Sequence, residues 1–321
     1  MERDAVAVVP PRRIRSSPWL WLLLAALPWA WFPLRDELAL VGDVLAIVLP
    51  VAAGLAAVAA VVLSRRWGSW WGLLTAVSVV LAAAVAVVGP WTPEDAGAVR
   101  PGAGVTVASA NVTTRTSTVP ALRAAGADVL VVVENDRRID AALAESYRFH
   151  VYAGGTPAVG VYSRFPVRLL DAPGPDFPGV RAAVDAPGTT GPFVVYGLHV
   201  PRPWWTGGFG YQSTPAEHHR LVEEIAGRVA REPGPVVVAG DLNSTDRARD
   251  YRLLDAGLVD AMRDGWAGPT SVTQWRAFLL RIDHLFVGRG WCGDGAHRVE
   301  LPGSDHDAIV ATVGPCAVTP P

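Results

Sequence analysis

Six short apolar runs in this chain stop at, or start from, a side chain able to hold a metal ion or a phosphate. Val105–Ser109 leads to Asn111, Val129–Val133 to Glu134, and Phe193–Leu198 to His199. Val236–Ala239 leads to Gly240-Asp241-Leu242-Asn243, Ile282–Val287 contains Asp283 at its start, and Ala308–Val313 follows Ser304-Asp305-His306. Taken singly each polar residue has a plain structural reading, as a turn former, a helix cap or a solvated strand end. Taken together they supply complementary chemistry. Carboxylate and amide oxygens suit a hard cation such as Mg²⁺, which takes one or two carboxylates and keeps several waters. Two imidazoles add groups that titrate near neutral pH and can move a proton.

These residues need a scaffold that brings strand ends to one edge. The six runs and a seventh, Val159–Tyr162, are rich in Val and Ile and bounded by Gly, Pro, Asp or Asn, which is the strand signature. Helix patterns lie between some of them. One starts at Thr118-Val119-Pro120 and runs to Ala125, one runs from Pro215 to about Arg231, and one starts at Asp246. Strands mixed with helices predict an α/β layered domain. His218 and His219 are adjacent on the Pro215 helix, so they point in different directions and are expected on a solvated surface.

The chain has 321 residues, half of them apolar, and the apolar excess lies in the first 90. Pro18–Leu34 and Trp67–Val88 carry no charge, and Leu38–Leu63 carries only Asp43. These lengths predict three membrane spans, at about 18–34, 38–63 and 67–88. Trp19, Trp21, Trp29 and Trp31 near the ends of the first suit a membrane interface. Arg12, Arg13 and Arg15 precede the first segment, and Arg65 and Arg66 lie between the second and third. The positive-inside rule then places residues 1–17 in the cytoplasm and everything after Pro90 outside, in a multi-pass cell-membrane protein. Asp43 reads as an interfacial or helix-starting residue. Residues 90–104, rich in Pro and Gly, read as a linker, and 105–316 as the catalytic domain.

All 28 basic residues are Arg, and from Gly104 onward 20 of them face 23 acidic residues, a balance of −3. A duplex-binding surface is usually basic, so this balance disfavours nucleic acid as the main partner. Cys292 and Cys316 are too few for a zinc site and can pair in an oxidising compartment.

The ordered blocks Asn111 in SANV, Glu134 in DVLVVVE, Tyr162-Ser163-Arg164-Phe165-Pro166, His199 in YGLHV, Gly240-Asp241-Leu242-Asn243, Arg281-Ile282-Asp283-His284 and Ser304-Asp305-His306 resemble the endonuclease/exonuclease/phosphatase (DNase I-like) superfamily. The resemblance implies two stacked mixed β-sheets flanked by helices, a four-layer α/β/β/α sandwich, here following the three-span helical anchor. It also implies one or two Mg²⁺ or Mn²⁺ ions held by Glu134 with Asn111 and Asp305. His306 would be the base that activates water, oriented by Asp283. Asp241 and Asn243 would position the water and a phosphoryl oxygen, and His199 would bind the phosphate or assist the leaving group.

Two positions depart from the family pattern. Ala110 stands where an aromatic often precedes the Asn, and Tyr147–Ser163 holds no acidic residue to orient His199. The second departure weakens a DNase-type reading. Pro201–Tyr211 carries four aromatics, among them Trp204, Trp205 and Phe209, which suggests a lip that contacts lipid. The anchor and outward domain resemble the membrane-anchored bacterial group linked to glycopeptide resistance, the VanJ type. That resemblance implies a phosphoesterase acting on lipid-linked cell-envelope phosphates or pyrophosphates. An extracellular DNase-like endonuclease and a catalytically silent binding module are the alternatives. Cys292 lies nine residues past Asp283 and Cys316 ten past His306. Both strands leave the active-site edge in the same direction, which makes the two thiols a disulfide candidate.

Overall fold

Consecutive Val and other apolar positions give the inner strands two apolar faces, and a strand apolar on both faces must be buried on both. In a computed structural model, which describes residues 17–94, 97–189, 191–204, 210–272 and 276–317, that demand is met by stacking two sheets and covering each with helices. The strands are β1 (Val105–Asn111), β2 (Val129–Val133), β3 (Phe149–Ala153), β4 (Val159–Ser163), β5 (Val167–Asp171) and β6 (Gly179–Val184). They continue with β7 (Phe193–His199), β8 (Val236–Asp241), β9 (Val259–Asp260), β10 (Asp283–Gly288), β11 (Trp291–Glu300) and β12 (Asp307–Pro315). One sheet has the order β11-β12-β1-β2-β4-β3 and the other β5-β6-β7-β8-β10-β9. Each is mixed, with one parallel pair, β1–β2 and β7–β8.

Between the sheets lies a core of Val107, Val131, Val161, Val195, Val237 and Leu285 with their neighbours. On the outer face of the first sheet, α5 (Val119–Ala124) and α6 (Arg137–Ala144) pack Leu122, Ile139 and Leu143 on Leu130 and Val132. On the outer face of the second, α7 (Pro215–Ala230) and α8 (Arg249–Asp255) pack Leu221, Ile225 and Leu254 on Val236 and Val238. The four-layer sandwich is thus present. His218 departs from the surface reading: it faces inward on α7, buried, with Nδ1 2.8 Å from the Pro201 carbonyl.

The apolar N-terminal region forms α1 (Pro18–Ala26), a 3₁₀ turn (Leu27–Ala30), α2 (Trp31–Leu34), α3 (Ala39–Trp67) and α4 (Trp71–Val88). The expectation of three spans narrows to two helices of sufficient length and apolarity, α3 and α4, with mean hydropathies of 2.6 and 2.4. The first segment is broken around Pro28, and its 17 residues reach only about 25 Å, short of a bilayer core of about 30 Å. The stretch expected to be a linker makes contacts with the domain. Arg100 donates its backbone N–H to Pro315, Val99 bridges to Cys316, and Glu94 pairs with Arg263.

Cys292 and Cys316 are joined by a disulfide that ties the start of β11 to the end of β12. Closing a loop of this sequence separation, 24 residues, restrains the unfolded chain by about 3 kcal/mol. Protein from an oxidising compartment is expected to show no free thiol by mass spectrometry, and Cys292→Ser to lower the melting temperature by several degrees. Two free thiols, or an unchanged melting temperature, would contradict the linkage.

Candidate active site

Strand periodicity places the reactive side chains. Along β1, β7, β8 and β10 every second residue faces the gap between the sheets, and the apolar residues in that row end at Asn111, His199, Asp241 and Asp283. Register then lines them up. His199 is opposite Asp241 in the parallel β7–β8 pair, and Asp283 is opposite Asp241 in the antiparallel β8–β10 pair. The site is therefore the mouth of the inter-sheet core. Gly240 makes the row possible: at φ +150°, a Cβ there would lie 1.9 Å from the Leu198 carbonyl oxygen. Two site residues adopt the left-handed conformation uncommon outside glycine, Glu134 at φ +50° just past β2 and Asn243 at φ +48° just past β8.

Asp241 is the hub. Its Oδ2 accepts the Asn111 amide at 3.0 Å, and the His199 and His306 Nε2 atoms each lie 3.9 Å from it. The same Asn111 nitrogen donates to Glu134 Oε1 at 3.1 Å, and His199 Nε2 is 3.7 Å from that oxygen. His306 Nδ1 is 2.8 Å from Asp283 Oδ2. Since that carboxylate accepts, Nδ1 carries the proton and Nε2 faces Asp241. The Asp241–Asn243 turn is held by the Asn243 N–H donating to Asp241 Oδ1 and by the Asn243 side chain donating to the Val200 carbonyl, both at 2.9 Å.

Burial sets the electrostatics. Asp241 is raised well above the usual carboxylate range, first by burial and then by the neighbouring Asp283 charge. His199 is pushed down to about 3 by burial, with the His306 and Arg202 charges acting the same way, so its imidazole is neutral. Burial also opposes the charge on His306, but Asp283, through charge and hydrogen bond, and then Asp241 and Asp305 outweigh it and lift it to about 10. A raised imidazole stabilises the fold fully below its ordinary value near 6.5 and loses that contribution as pH rises through about 10.

Glu134, Asp241 and Asp283 thus concentrate three acidic groups at one mouth. Among the described residues the buried Asp283 Oδ1 has no hydrogen-bond partner, and the Glu134 side chain is 28% exposed. Asp241, Asp283 and His306 also offer ligand atoms within 4.8 Å of one another. Surplus carboxylate oxygen of this kind fits a hard divalent cation. Because Asp283 and His306 already hold each other, Glu134 and Asp241 are the carboxylates better placed to meet it. Asp305, expected to complete or support the metal site, accepts through Oδ1 from Thr113 Oγ1 at 2.7 Å.

Several supporting residues escape a reading of motifs alone. Thr270 Oγ1 accepts the Asp283 backbone N–H at 3.1 Å, and Ser304 Oγ donates to the Asn111 carbonyl at 2.7 Å while accepting the His306 N–H. His284, kept neutral by burial and lowered to about 4, has Nε2 2.8 Å from the Ser244 carbonyl behind the Asn243 turn. Ser304 and His284 lie inside the recognised blocks, whereas nothing local marks Thr270. Trp204 is half-buried, and Tyr211 sets its ring edge-on to His199 at 5.0 Å. Trp205 and Phe209 lie outside the described residues.

The model of the Endonuclease/Exonuclease/phosphatase family matches residues 107–306, well over half of the chain. No curated protein matches it. Among solved structures, an endonuclease/exonuclease/phosphatase from Beutenbergia cavernae DSM 12333 is similar at a TM-score of 0.51 and 19% identity, over 68% of this chain and 73% of that one. A functionally unknown conserved protein from Enterococcus faecalis V583 gives 0.50 and 15%, over 65% and 99%. Sphingomyelinase C from Streptomyces griseocarneus gives 0.45 and 18%, over 65% and 99%. The first two likenesses show the fold.

The charge balance is open to direct measurement. In metal-free protein, ring-nitrogen NMR is expected to show His306 titrating near 10 and His199 neutral down to about 3. Asp283→Asn removes the main raising cause and leaves burial opposed only by Asp241 and Asp305, so the His306 midpoint should fall well below 10. An unmoved midpoint would contradict the assigned pairing.

Proposed function

The chain belongs to the Endonuclease/Exonuclease/phosphatase family, whose members are generally phosphoester hydrolases, and from that premise we propose a divalent-metal-dependent phosphoesterase working at a membrane surface. The observation that carries the chemistry is the convergence of two imidazoles on one buried carboxylate, with Glu134 bridged to it through Asn111. Glu134 and Asp241 would hold a Mg²⁺ or Mn²⁺, which would supply positive charge to offset the carboxylates and the charge developing on phosphoryl oxygens.

His306 Nε2 takes the proton of the attacking water as the water oxygen bonds to phosphorus and the ester P–O bond breaks. Asp283 keeps the imidazole in the tautomer that leaves Nε2 free to accept. Asp241 and the Asn243 turn orient the water and one phosphoryl oxygen. Neutral His199 donates a hydrogen bond to the phosphate, and the leaving oxygen takes its proton from solvent. Asp305, through Thr113, steadies the loop beside Asn111. Since His306 is held protonated by its carboxylates, turnover should rise from pH 7 toward about 9 as more of it becomes the acceptor form.

Several features support a lipid-linked phosphate or pyrophosphate as substrate, presented outside the cell. α3 and α4 are long and apolar enough to span a bilayer. The disulfide suits an oxidising compartment. Pro203, at the start of the aromatic loop, shares a crevice with Asp43 and Ile47 of α3 and with Asn243 of the site.

The test is an assay of the full chain with Mg²⁺ on polyprenyl pyrophosphate, phospholipid, bis(p-nitrophenyl) phosphate and plasmid DNA, with His306→Ala as control. Lipid-phosphate hydrolysis lost in His306→Ala is expected, by roughly 10²-fold or more. Trp204→Ala with Trp205→Ala should weaken action on the lipid and spare the small diester. Equal loss on both would remove the aromatic lip from the account, and cleavage of DNA alone would overturn the lipid assignment.

A further inference from the structure

Arg247 lies six residues past Asp241, on the loop that also carries Asn243, and it is fully buried. Burial disfavours its charge and pushes its pKa down to about 10, with Asp246 acting the other way. A guanidinium in such a place persists only if its donors are satisfied. They are spent on backbone carbonyls from two other segments. Nε donates to Ala46 and Nη2 reaches Ile47 at 3.4 Å, both on α3. Nη1 donates to Leu279 at 3.1 Å and Nη2 to Phe278 at 2.7 Å, in the stretch leading to Asp283.

The Ala46 carbonyl is available for a reason written in the sequence. In a regular helix it would accept the N–H of residue 50, but residue 50 is Pro, which has none. The break exposes one acceptor on α3, and Arg247 takes it. About one turn earlier, Arg249 holds Asp43 through both carboxylate oxygens at 2.8–3.1 Å, and Arg252 pairs with Asp36.

We infer that Arg247 is a positioning residue: it ties the Asp241–Asn243 loop and the approach to Asp283 onto the Pro50 break of α3. The apolar helices then brace the active site as well as tether it. This rests on the proposed role of Asp241 and Asn243 in turnover.

The test compares full-length protein in detergent micelles with Arg247→Met and Pro50→Ala. It reads kcat and KM on bis(p-nitrophenyl) phosphate, thermal unfolding, and hydrogen exchange of the peptide spanning 241–248. Pro50→Ala is the discriminating variant. It gives the Ala46 carbonyl a helical N–H and removes a helix breaker, so a merely structural contact predicts equal or higher thermal stability with unchanged turnover. The expected result is a kcat lower by roughly tenfold or more in Arg247→Met and by about threefold in Pro50→Ala, with KM within about twofold. Exchange across 241–248 should rise in both, without a lower melting temperature for Pro50→Ala. Wild-type exchange and kcat in Pro50→Ala would overturn the inference. Turnover that survives His306→Ala would sink the functional reading instead, and the exchange result would still decide this one.

Discussion

Everything at the mouth of this sandwich answers to the burial of Asp241. It is 2% exposed, its strand neighbour Asp283 is wholly buried, and Glu134 comes within reach of the same amide. Carboxylates taken out of water together are costly unless positive charge or donated hydrogen bonds meet them. The protein supplies the Asn111 amide, the Asn243 backbone N–H and a His306 ring whose charge Asp283 sustains. One imidazolium against this group of carboxylates leaves a surplus of negative charge, and that surplus makes a divalent cation the natural complement of the site.

The sandwich is the device that concentrates the charge. A strand can be apolar along one face and polar at its last residue without changing periodicity, so four strands deliver four polar groups in one row at no cost to the core beneath. Apolar Val195, Val237 and Leu285 keep that row dry from below, and the Gly240 contact with Leu198 keeps β7 and β8 close enough for His199 and Asp241 to meet. Arg247 extends the arrangement to the N-terminal helices, where Pro50 opens the acceptor it needs.

Much of this was legible in the sequence. All seven apolar runs are strands, and the inner strands carry the chemistry because they are the most apolar and end most sharply. β3, β5, β6, β9 and β11 escaped notice: all but β6 are the edges of the two sheets, partly exposed and more polar, and β6 is an inner strand whose short run of Val and Ala is interrupted by Arg181. The pairing of His306 with Asp283 was readable from known chemistry, since the two are adjacent only through β10 and β12. That Asp305 accepts from Thr113 was not readable, because sequence adjacency to His306 says nothing about which way a side chain just before a strand turns. Arg247 and Thr270 were unreadable, since their partners are backbone carbonyls and N–H groups of segments far along the chain. Of the three apolar segments, two are helices long enough to cross a bilayer, and Pro28 breaks the other, whose composition alone looks sufficient.

The central claim is that three converging acids form a divalent-cation site around Asp241 and Glu134. Calorimetric titration of the full chain with Mg²⁺ or Mn²⁺ tests it most directly, beside Glu134→Gln and Asp241→Asn. The account predicts saturable binding that either substitution weakens by tenfold or more, about 1.4 kcal/mol. Binding of equal strength in all three proteins, or none in the unaltered chain, would contradict it.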